Sequence, residues 1–222
     1  MKIRSLGRVD YETTWAEMRA FTDARTKDTE DELWVVEHAS VFTQGIAGKQ
    51  EHLLFNPSNI PVVKTDRGGQ ITYHGPGQAL VYVMFDLKRA GYGVRELVMR
   101  IENAVIQLLA SFGIEAYGKR DAPGVYVRAQ KGLEAKIASL GLKVRNGSTY
   151  YGVAFNVDMD LAPFACINPC GYQGLQVTDL NAMLVAAPGR ITLEAAGAAL
   201  AAMLEKTLIA PAPIKAGEKI VE

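Results

Sequence analysis

The chain contains few cysteines and no excess of charge of either sign, and these absences narrow its class. Cys166 and Cys170 are its only cysteines, too few for a disulfide framework, so a reducing cytoplasm is expected. Basic and acidic residues number 24 each, without the basic excess typical of nucleic-acid binding. No stretch approaches the roughly 18 apolar residues that span a bilayer, and the N-terminus lacks the apolar segment of a signal peptide. We therefore expect a cytoplasmic, monomeric protein that binds neither nucleic acid nor membranes.

Two local groups of basic residues are the candidates for contact with an acidic partner. The first surrounds the start of a predicted helix, and the second lies on a predicted hairpin. They are Lys88, Arg89, Arg95 and Arg100, and Lys143 with Arg145. Ordinary solvated surface is the favoured interpretation of both groups.

Apolar periodicity mixes helices with strands along the chain. The spacing over 94–112 predicts a helix that Gly113 ends, and Asp10 is placed to cap another over 11–26. Asn146-Gly147 between two apolar runs predicts a β-hairpin, which excludes a purely parallel sheet. No linker divides the chain. Residues 1–222 are therefore predicted to form a single α/β domain of the α+β type, with a mixed sheet packed against helices.

The common signatures of nucleotide and metal sites are missing. The chain has no phosphate-binding loop, and Gly75-Pro76-Gly77 lacks the spacing of a dinucleotide fingerprint. No two of the three histidines have ligand spacing. A zinc site that used Cys166 and Cys170 would need further ligands that the sequence does not identify. We expect no cofactor and no metal.

Two glycine clusters bracket a short predicted strand over residues 67–78. Glycine lets the backbone approach a ligand closely and offers N–H groups to an oxyanion or a carbonyl. Arg67 and His74 could add polar anchors there. Two tight turns around a packed Tyr73 and a hydrogen-bonded His74 are the more ordinary explanation of the same spacing.

The turn Asn168-Pro169-Cys170-Gly171 suits an exposed nucleophile. Proline restricts the chain before the cysteine, and glycine after it leaves the sulfur unhindered. Such a thiol becomes reactive where a nearby cation lowers its pKa. Most free cysteines are instead small buried hydrophobic residues, and Cys166, between Ala165 and Ile167, fits that description.

Lys136 begins a run of small and apolar residues that ends at Gly141. A lysine that enters a buried strand costs free energy unless it is paired, and such a lysine can act as a base or lie beside a thiolate. A strand-end lysine that reaches solvent is the ordinary alternative.

Taken together, these segments resemble the lipoyl(octanoyl) transferase family. The family signature matches over Arg67 to Tyr82, and later blocks follow in the same order over 122–127, 136–141, 152–157 and 167–171. The similarity also includes 36–38 and 41–45, and it spans roughly residues 4–180. Residues 181–222 would form a C-terminal helical extension.

The resemblance implies the fold of the biotin and lipoate protein ligases and a role in the first step of protein lipoylation. The octanoyl donor would be octanoyl-acyl carrier protein. The acceptors would be lipoyl domains of 2-oxoacid dehydrogenase E2 subunits and the glycine cleavage H protein. Cys170 would carry the octanoyl group as a thioester, while Lys136 would lower the pKa of that thiol and accept the proton of the incoming amine.

The same matching implies an acyl pocket built from three segments of small and polar residues. These are Arg67, Gly68, Gly69, Gln70, Ile71, Thr72, Tyr73 and His74, then Ser139, Leu140 and Gly141, then Gly152, Val153 and Ala154.

Two positions depart from the family pattern. Tyr151 stands where the family has histidine, so proton transfer at that position is not expected near neutral pH. The link Gln130 to Ala135 is longer than usual. The alternatives are an ATP-dependent lipoate or biotin ligase, which needs no cysteine, and a non-catalytic relative that binds the carrier domains.

Overall fold

The computed structural model describes residues 1–129, 132–168, 176–184 and 189–210, and these residues form a mixed α/β architecture. The strands are β1 (Lys2–Val9), β2 (Glu32–His38), β3 (Val41–Gln44), β4 (Val62–Lys64), β5 (Ile71–His74), β6 (Gln78–Met84), β7 (Ala116–Gly118), β8 (Gly124–Arg128), β9 (Glu134–Arg145) and β10 (Ser148–Asn156). The α-helices are α1 (Tyr11–Asp23), α2 (Leu87–Ala90), α3 (Val94–Ser111), α4 (Leu180–Met183) and α5 (Leu193–Leu208). Single 3₁₀ turns lie at Gln50–His52 and Ala162–Cys166.

Local sequence signals explain several element boundaries. The Asp10 side chain accepts the Thr13 N–H at 2.9 Å and so caps α1. Gly113 follows α3 with φ of +76°, a left-handed conformation that glycine adopts without strain. Asn146 and Gly147 take φ values of +54° and +86°, as the predicted hairpin turn between β9 and β10 requires.

The larger sheet is mixed, as predicted. Its strand order is β1-β2-β6-β10-β9-β8-β7, with β1 and β2 parallel and every other neighbouring pair antiparallel. A smaller sheet, in the order β4-β3-β5, pairs β3 with β4 in parallel and β3 with β5 antiparallel.

The two faces of the larger sheet pack against different layers. Along β6, Val81 and Val83 belong to the apolar core formed with α3 and α5. Their neighbours Leu80 and Tyr82 face the other way, into a cluster that includes α1. This alternation is the period of two of a strand buried on both sides.

Arg100 corrects part of the predicted basic surface. It is only 2% exposed and bonds Glu96, and it donates to the carbonyl oxygens of Thr207 at 2.7 Å and Ala210 at 3.0 Å. The side chain therefore joins α3 to the end of α5, and the prediction that Arg100 belongs to a surface group is wrong. None of the helices in the described ranges is long and apolar enough to cross a bilayer.

Candidate functional site

A cavity of about 610 Å³, part of it open to solvent, lies between the loop that precedes β5 and the α1 face of the larger sheet. Most of the predicted pocket residues line it, together with the predicted catalytic Lys136: Arg67, Gly69, Gln70, Ile71, Thr72, His74, Ser139, Leu140, Gly141, Gly152, Val153 and Ala154. Gly141 pairs with Gly152 and Ser139 with Ala154 across β9 and β10. Paired residues share a face, so Ser139 and Ala154 present short side chains to one wall of the cavity. The two glycines allow close packing instead, since an added Cβ would lie 3.2 Å from Arg67 Cδ at Gly141 and 2.1 Å from the Val81 carbonyl oxygen at Gly152.

Two residues predicted for the pocket lie outside its lining. The Gly68 N–H donates to the carbonyl of Leu142 at 2.9 Å, which ties the loop to β9. Tyr73 turns into the core of the smaller sheet, with its hydroxyl 2.9 Å from Ser40 Oγ and its ring edge-on to Phe164. The strand period explains Tyr73, since its neighbours in β5 face the cavity instead.

Four further lining residues were not predicted: Tyr11, Leu80, Tyr82 and Tyr151. Leu80 and Tyr82 stand opposite Ala154 and Gly152 in the β6–β10 register, so a correct strand pairing would have found them. Among the described residues the buried Tyr11 hydroxyl has no hydrogen-bond partner. Burial raises its pKa to about 12, with smaller effects from the neighbouring Arg67 charge and Tyr151 hydroxyl.

A β-bulge turns Lys136 toward the cavity. The β8–β9 register shifts immediately after Lys136, which leaves Ile137 as an extra residue in β9. In a regular strand Lys136 and Ser139 would lie on opposite faces, because side chains alternate. One extra residue reverses that alternation, so both residues reach the same wall.

Lys136 is almost completely enclosed. It is only 4% exposed, and its Nζ lies 5.3 Å from the centre of the Tyr126 ring, within the range of a cation–π contact. Its backbone N–H donates to the carbonyl of Gln176 at 2.8 Å. The predicted nucleophile, Cys170, lies outside the described residues, as do residues 130 and 131 of the longer link.

Arg67 organises the glycine loop from within. Its guanidinium donates to Thr43 Oγ1 at 2.9 Å and 3.1 Å and to the carbonyl oxygens of Gly68 at 2.9 Å and Gln70 at 2.8 Å. Gly69 completes the turn with φ of +84°. The loop therefore wraps around a fixed cation at the wall of the cavity.

His74 is held as a neutral imidazole. Its Nδ1 lies 2.8 Å from the Gln78 side-chain oxygen, so the proton is on Nδ1. Burial lowers the pKa of His74 to about 3, and the Arg67 charge acts in the same direction. The amide of Gln78 continues the network by donating to Asn156 Oδ1 at 2.9 Å. His74 is thus suited to hydrogen bonding and not to carrying charge at neutral pH.

Tyr151 takes part in a carboxylate cluster beside the cavity. Its backbone has φ of +63°, and its hydroxyl donates to Asp66 at 3.0 Å. Tyr150 and, at 3.1 Å, the Trp15 indole donate to the same carboxylate. Burial alone would raise the pKa of Asp66, but the three donors hold it below its ordinary value. Burial also raises the pKa of Tyr151, so this residue remains a neutral donor.

Cys166 was predicted to be a small buried hydrophobic residue, and the structure shows a buried free cysteine at this position. Within the residues that the structure describes, no group of three or more His, Cys, Asp or Glu side chains is placed to hold a metal ion.

Residues 10–205 match the family described as the lipoyl protein ligase A/B catalytic domain. The chain belongs to this family. Within it, an octanoyltransferase of Chromobacterium violaceum is 64% identical over 81% of the chain and 84% of its own length. An octanoyltransferase of Pseudomonas savastanoi pv. phaseolicola is 56% identical over 92% of the chain and 89% of its own length. The chain is accordingly an acyltransferase enzyme.

Solved structures share the fold at low sequence identity. The bi-partite lipoate protein ligase of Thermoplasma acidophilum superposes with a TM-score of 0.68 at 16% identity, covering 94% of this chain and 84% of that one. A biotin protein ligase of Aquifex aeolicus gives 0.58 at 12% identity, covering 93% and 70%. The predicted ligase-type catalytic fold is confirmed.

Proposed function

We propose that the chain moves an octanoyl group from octanoyl-acyl carrier protein to a lysine of a lipoyl domain, with Cys170 as the temporary carrier. The main structural support is the placement of Lys136, a buried amine turned by the bulge into the cavity with the short side chains. Family membership supports octanoyl transfer in lipoylation. The acceptors would be lipoyl domains such as those of 2-oxoacid dehydrogenase E2 subunits and the glycine cleavage H protein.

In the first step the Cys170 sulfur attacks the thioester carbonyl of the donor. A new C–S bond forms, the bond to the carrier's sulfur breaks, and the carrier leaves as a thiol. The proton lost by Cys170 ends on the departing sulfur, and we assign to Lys136 the role of holding it in the meantime. One thioester replaces another, so the step is nearly balanced in free energy.

In the second step the neutral amine of the acceptor lysine attacks the Cys170 thioester. The C–N bond forms, the C–S bond breaks, and the amine loses one proton, which Lys136 passes to the Cys170 sulfur. The enzyme returns to its starting state. Formation of an amide from a thioester runs downhill, so the cycle requires no nucleotide.

The other cavity residues would bind and orient the acyl group. The short side chains of Ser139 and Ala154 would leave space for an unbranched alkyl chain. The neutral His74 keeps its Nδ1 proton in the bond to Gln78, so it would help to fix the cavity wall without releasing a proton. Gln176, which follows Cys170 at a short distance in sequence, bonds the backbone of Lys136.

The decisive experiment is mass spectrometry after mixing the protein with octanoyl-acyl carrier protein. We expect one added octanoyl mass, mapped to Cys170 and removed by hydroxylamine. Cys170→Ala should abolish the adduct, while Cys166→Ala, the only other cysteine, should retain it. Absence of the adduct with folded protein and an active donor contradicts the mechanism.

A parallel reaction separates transfer from ligation. The shared fold also occurs in a lipoate-protein ligase solved with bound ATP. Lipoyl domain incubated with the protein, free octanoate and ATP, without acyl carrier protein, should therefore remain unmodified. Octanoylated product under those conditions favours the ligase instead.

A further inference from the structure

Glu102 is a buried carboxylate that the proposed chemistry does not use. It lies on α3 and is only 9% exposed. Its Oε1 accepts the N–H of Gly124 at 2.9 Å, and a Cβ added to Gly118 would lie 3.0 Å from its Oε2. The carboxylate is therefore enclosed between the end of β7 and the start of β8.

Gly124 separates this carboxylate from Lys136. Its φ of +145° is rarely adopted by residues with a side chain, and an added Cβ would lie 2.3 Å from Lys136 Cε and 3.0 Å from Nζ. The ammonium end of Lys136 thus rests on the same glycine whose N–H is bonded to Glu102. The Tyr126 ring also packs against Lys136. Its hydroxyl donates to the Ala122 carbonyl at 2.9 Å.

The charges of Glu102 and Lys136 act on each other across this glycine. Burial raises the pKa of Glu102 to about 7, and the opposing effects are the Gly124 N–H and the positive charge of Lys136. Glu102 therefore changes charge in the pH range in which an enzyme of this kind is assayed.

Two nearby cations on the surrounding elements are paired with carboxylates other than Glu102. On the β7–β8 connection Lys119 is paired with Glu134 of β9. On α3 Arg100 is paired with Glu96.

The charged residues of α5 lie away from Glu102. Glu205 is 3.9 Å from the N-terminal amine. Lys206 and Glu194 are both exposed, and neither acts on the Glu102 carboxylate. Lys136 is the charged group that acts on Glu102.

We propose that Glu102 is a positioning residue for Lys136: it fixes Gly124 beneath the amine, and its negative charge favours the ammonium form that assists the thiolate of Cys170. Two opposite charges near each other in a buried site stabilise each other more strongly than at the surface. The proposal rests on the function proposed above, in which Lys136 assists acyl transfer.

The test compares wild type with Glu102→Gln, whose amide oxygen still accepts the Gly124 N–H but carries no charge. The readout is the single-turnover rate of Cys170 acylation by octanoyl-acyl carrier protein from pH 5.5 to 8.5. We expect the two rates to agree within about twofold at pH 5.5, where Glu102 is protonated. At pH 8.5, where it is ionised, the variant should be slower by roughly tenfold, the equivalent of one pKa unit.

Glu134→Gln is the matched control on the strand that carries Lys136. Hydrogen bonds from Lys119 and Tyr117 outweigh burial and hold the pKa of Glu134 below its ordinary value, so its charge does not change over this pH range. Its rate ratio to wild type should therefore be constant with pH. A ratio for Glu102→Gln that is equally constant overturns the proposal, because loss of packing alone has no pH dependence.

Glu102→Asp guards against a variant that fails to fold. It keeps the charge and should regain at least half of the logarithmic rate loss at pH 8.5. If Asp and Gln lose equal activity there, the charge is not responsible and the proposal fails. Absence of acylation in the wild type contradicts the proposed function instead, so the two failures are distinguishable.

Discussion

The two faces of the larger sheet differ in what they bury. Toward α3 and α5 the sheet buries a large cluster of aliphatic and aromatic residues, with Leu200 and Leu204 among them. Toward α1 the sheet buries polar partners, such as His38, whose Nε2 lies 2.7 Å from the Tyr82 hydroxyl and whose Nδ1 lies 2.8 Å from the Val9 carbonyl. The cavity lies on this second face.

This difference separates stability from chemistry within one sheet. Apolar burial contributes about 25 cal/mol for each Å² removed from water, so the α3–α5 face stabilises the fold directly. Polar groups on the α1 face must be paired to avoid a cost, and they contribute little net free energy. We therefore expect changes on the two faces to affect different measurements.

The largest expected effect is on catalysis, from a change in the cavity. Lys136→Ala should slow both the acylation of Cys170 and the transfer to the lipoyl domain by roughly 100-fold or more, because a proton-transferring group is lost. The variant should remain folded, although its free energy of unfolding should fall, because the buried Glu102 loses the opposite charge of Lys136. Single-turnover rates and urea unfolding measure the two quantities, and a rate within twofold of wild type would contradict the assignment.

A change on the face toward α3 and α5 should have the opposite result, a loss of stability with little loss of catalysis. Leu200→Ala removes a side chain with 0% exposure and should lower the free energy of unfolding by roughly 2–5 kcal/mol. The transfer rate per folded molecule should stay within about twofold. Ile209→Ala, at a residue 63% exposed, is the control and should change stability by no more than about 0.5 kcal/mol. Equal losses in both variants would remove the distinction between core and surface.

The smallest effect concerns how the cavity face responds to acid. Because the folded state keeps His74 neutral down to about pH 3, the unfolded chain binds more protons below pH 6.5, its ordinary pKa. The free energy of unfolding should therefore fall as pH decreases, by up to roughly 2 kcal/mol between pH 6.5 and 5. His74→Gln can still donate to Gln78 and should flatten this slope in urea titrations. An unchanged slope would mean that His74 does not carry the linkage.

Much of the fold follows from local signals in the sequence. The α3 stripe, the Asp10 cap and the Asn146-Gly147 turn each depend on neighbouring residues alone, and all three are confirmed. The end of α1 was predicted at residue 26 and lies at Asp23. The spacing of apolar residues defines the ends of a helix less closely than its middle.

The cavity lining was only partly predictable. The segment matches located residues that line the cavity, but the lining contributed by Tyr11 and Tyr82 depends on contacts between distant parts of the chain. Arg100 was misplaced because no local pattern shows that the end of α5 lies over it. No sequence motif includes Glu102, because it is linked to Lys136 only through Gly124, which lies on a different strand.

The bulge at Ile137 determines which face of β9 the residues on either side of it occupy. Lys136, before the bulge, and Ser139 and Gly141, after it, all face the cavity. In a regular strand they could not, because Lys136 is an odd number of positions away from each of the other two. A substitution in this strand alters one contact. Deletion of Ile137 would remove the bulge but keep Lys136 paired with Tyr126, two positions from Ser139 and so on the same face. Insertion of one further residue there would instead exchange the faces of the residues before it and turn the amine of Lys136 toward the apolar core. The strand should therefore tolerate loss of the bulged residue better than gain of another.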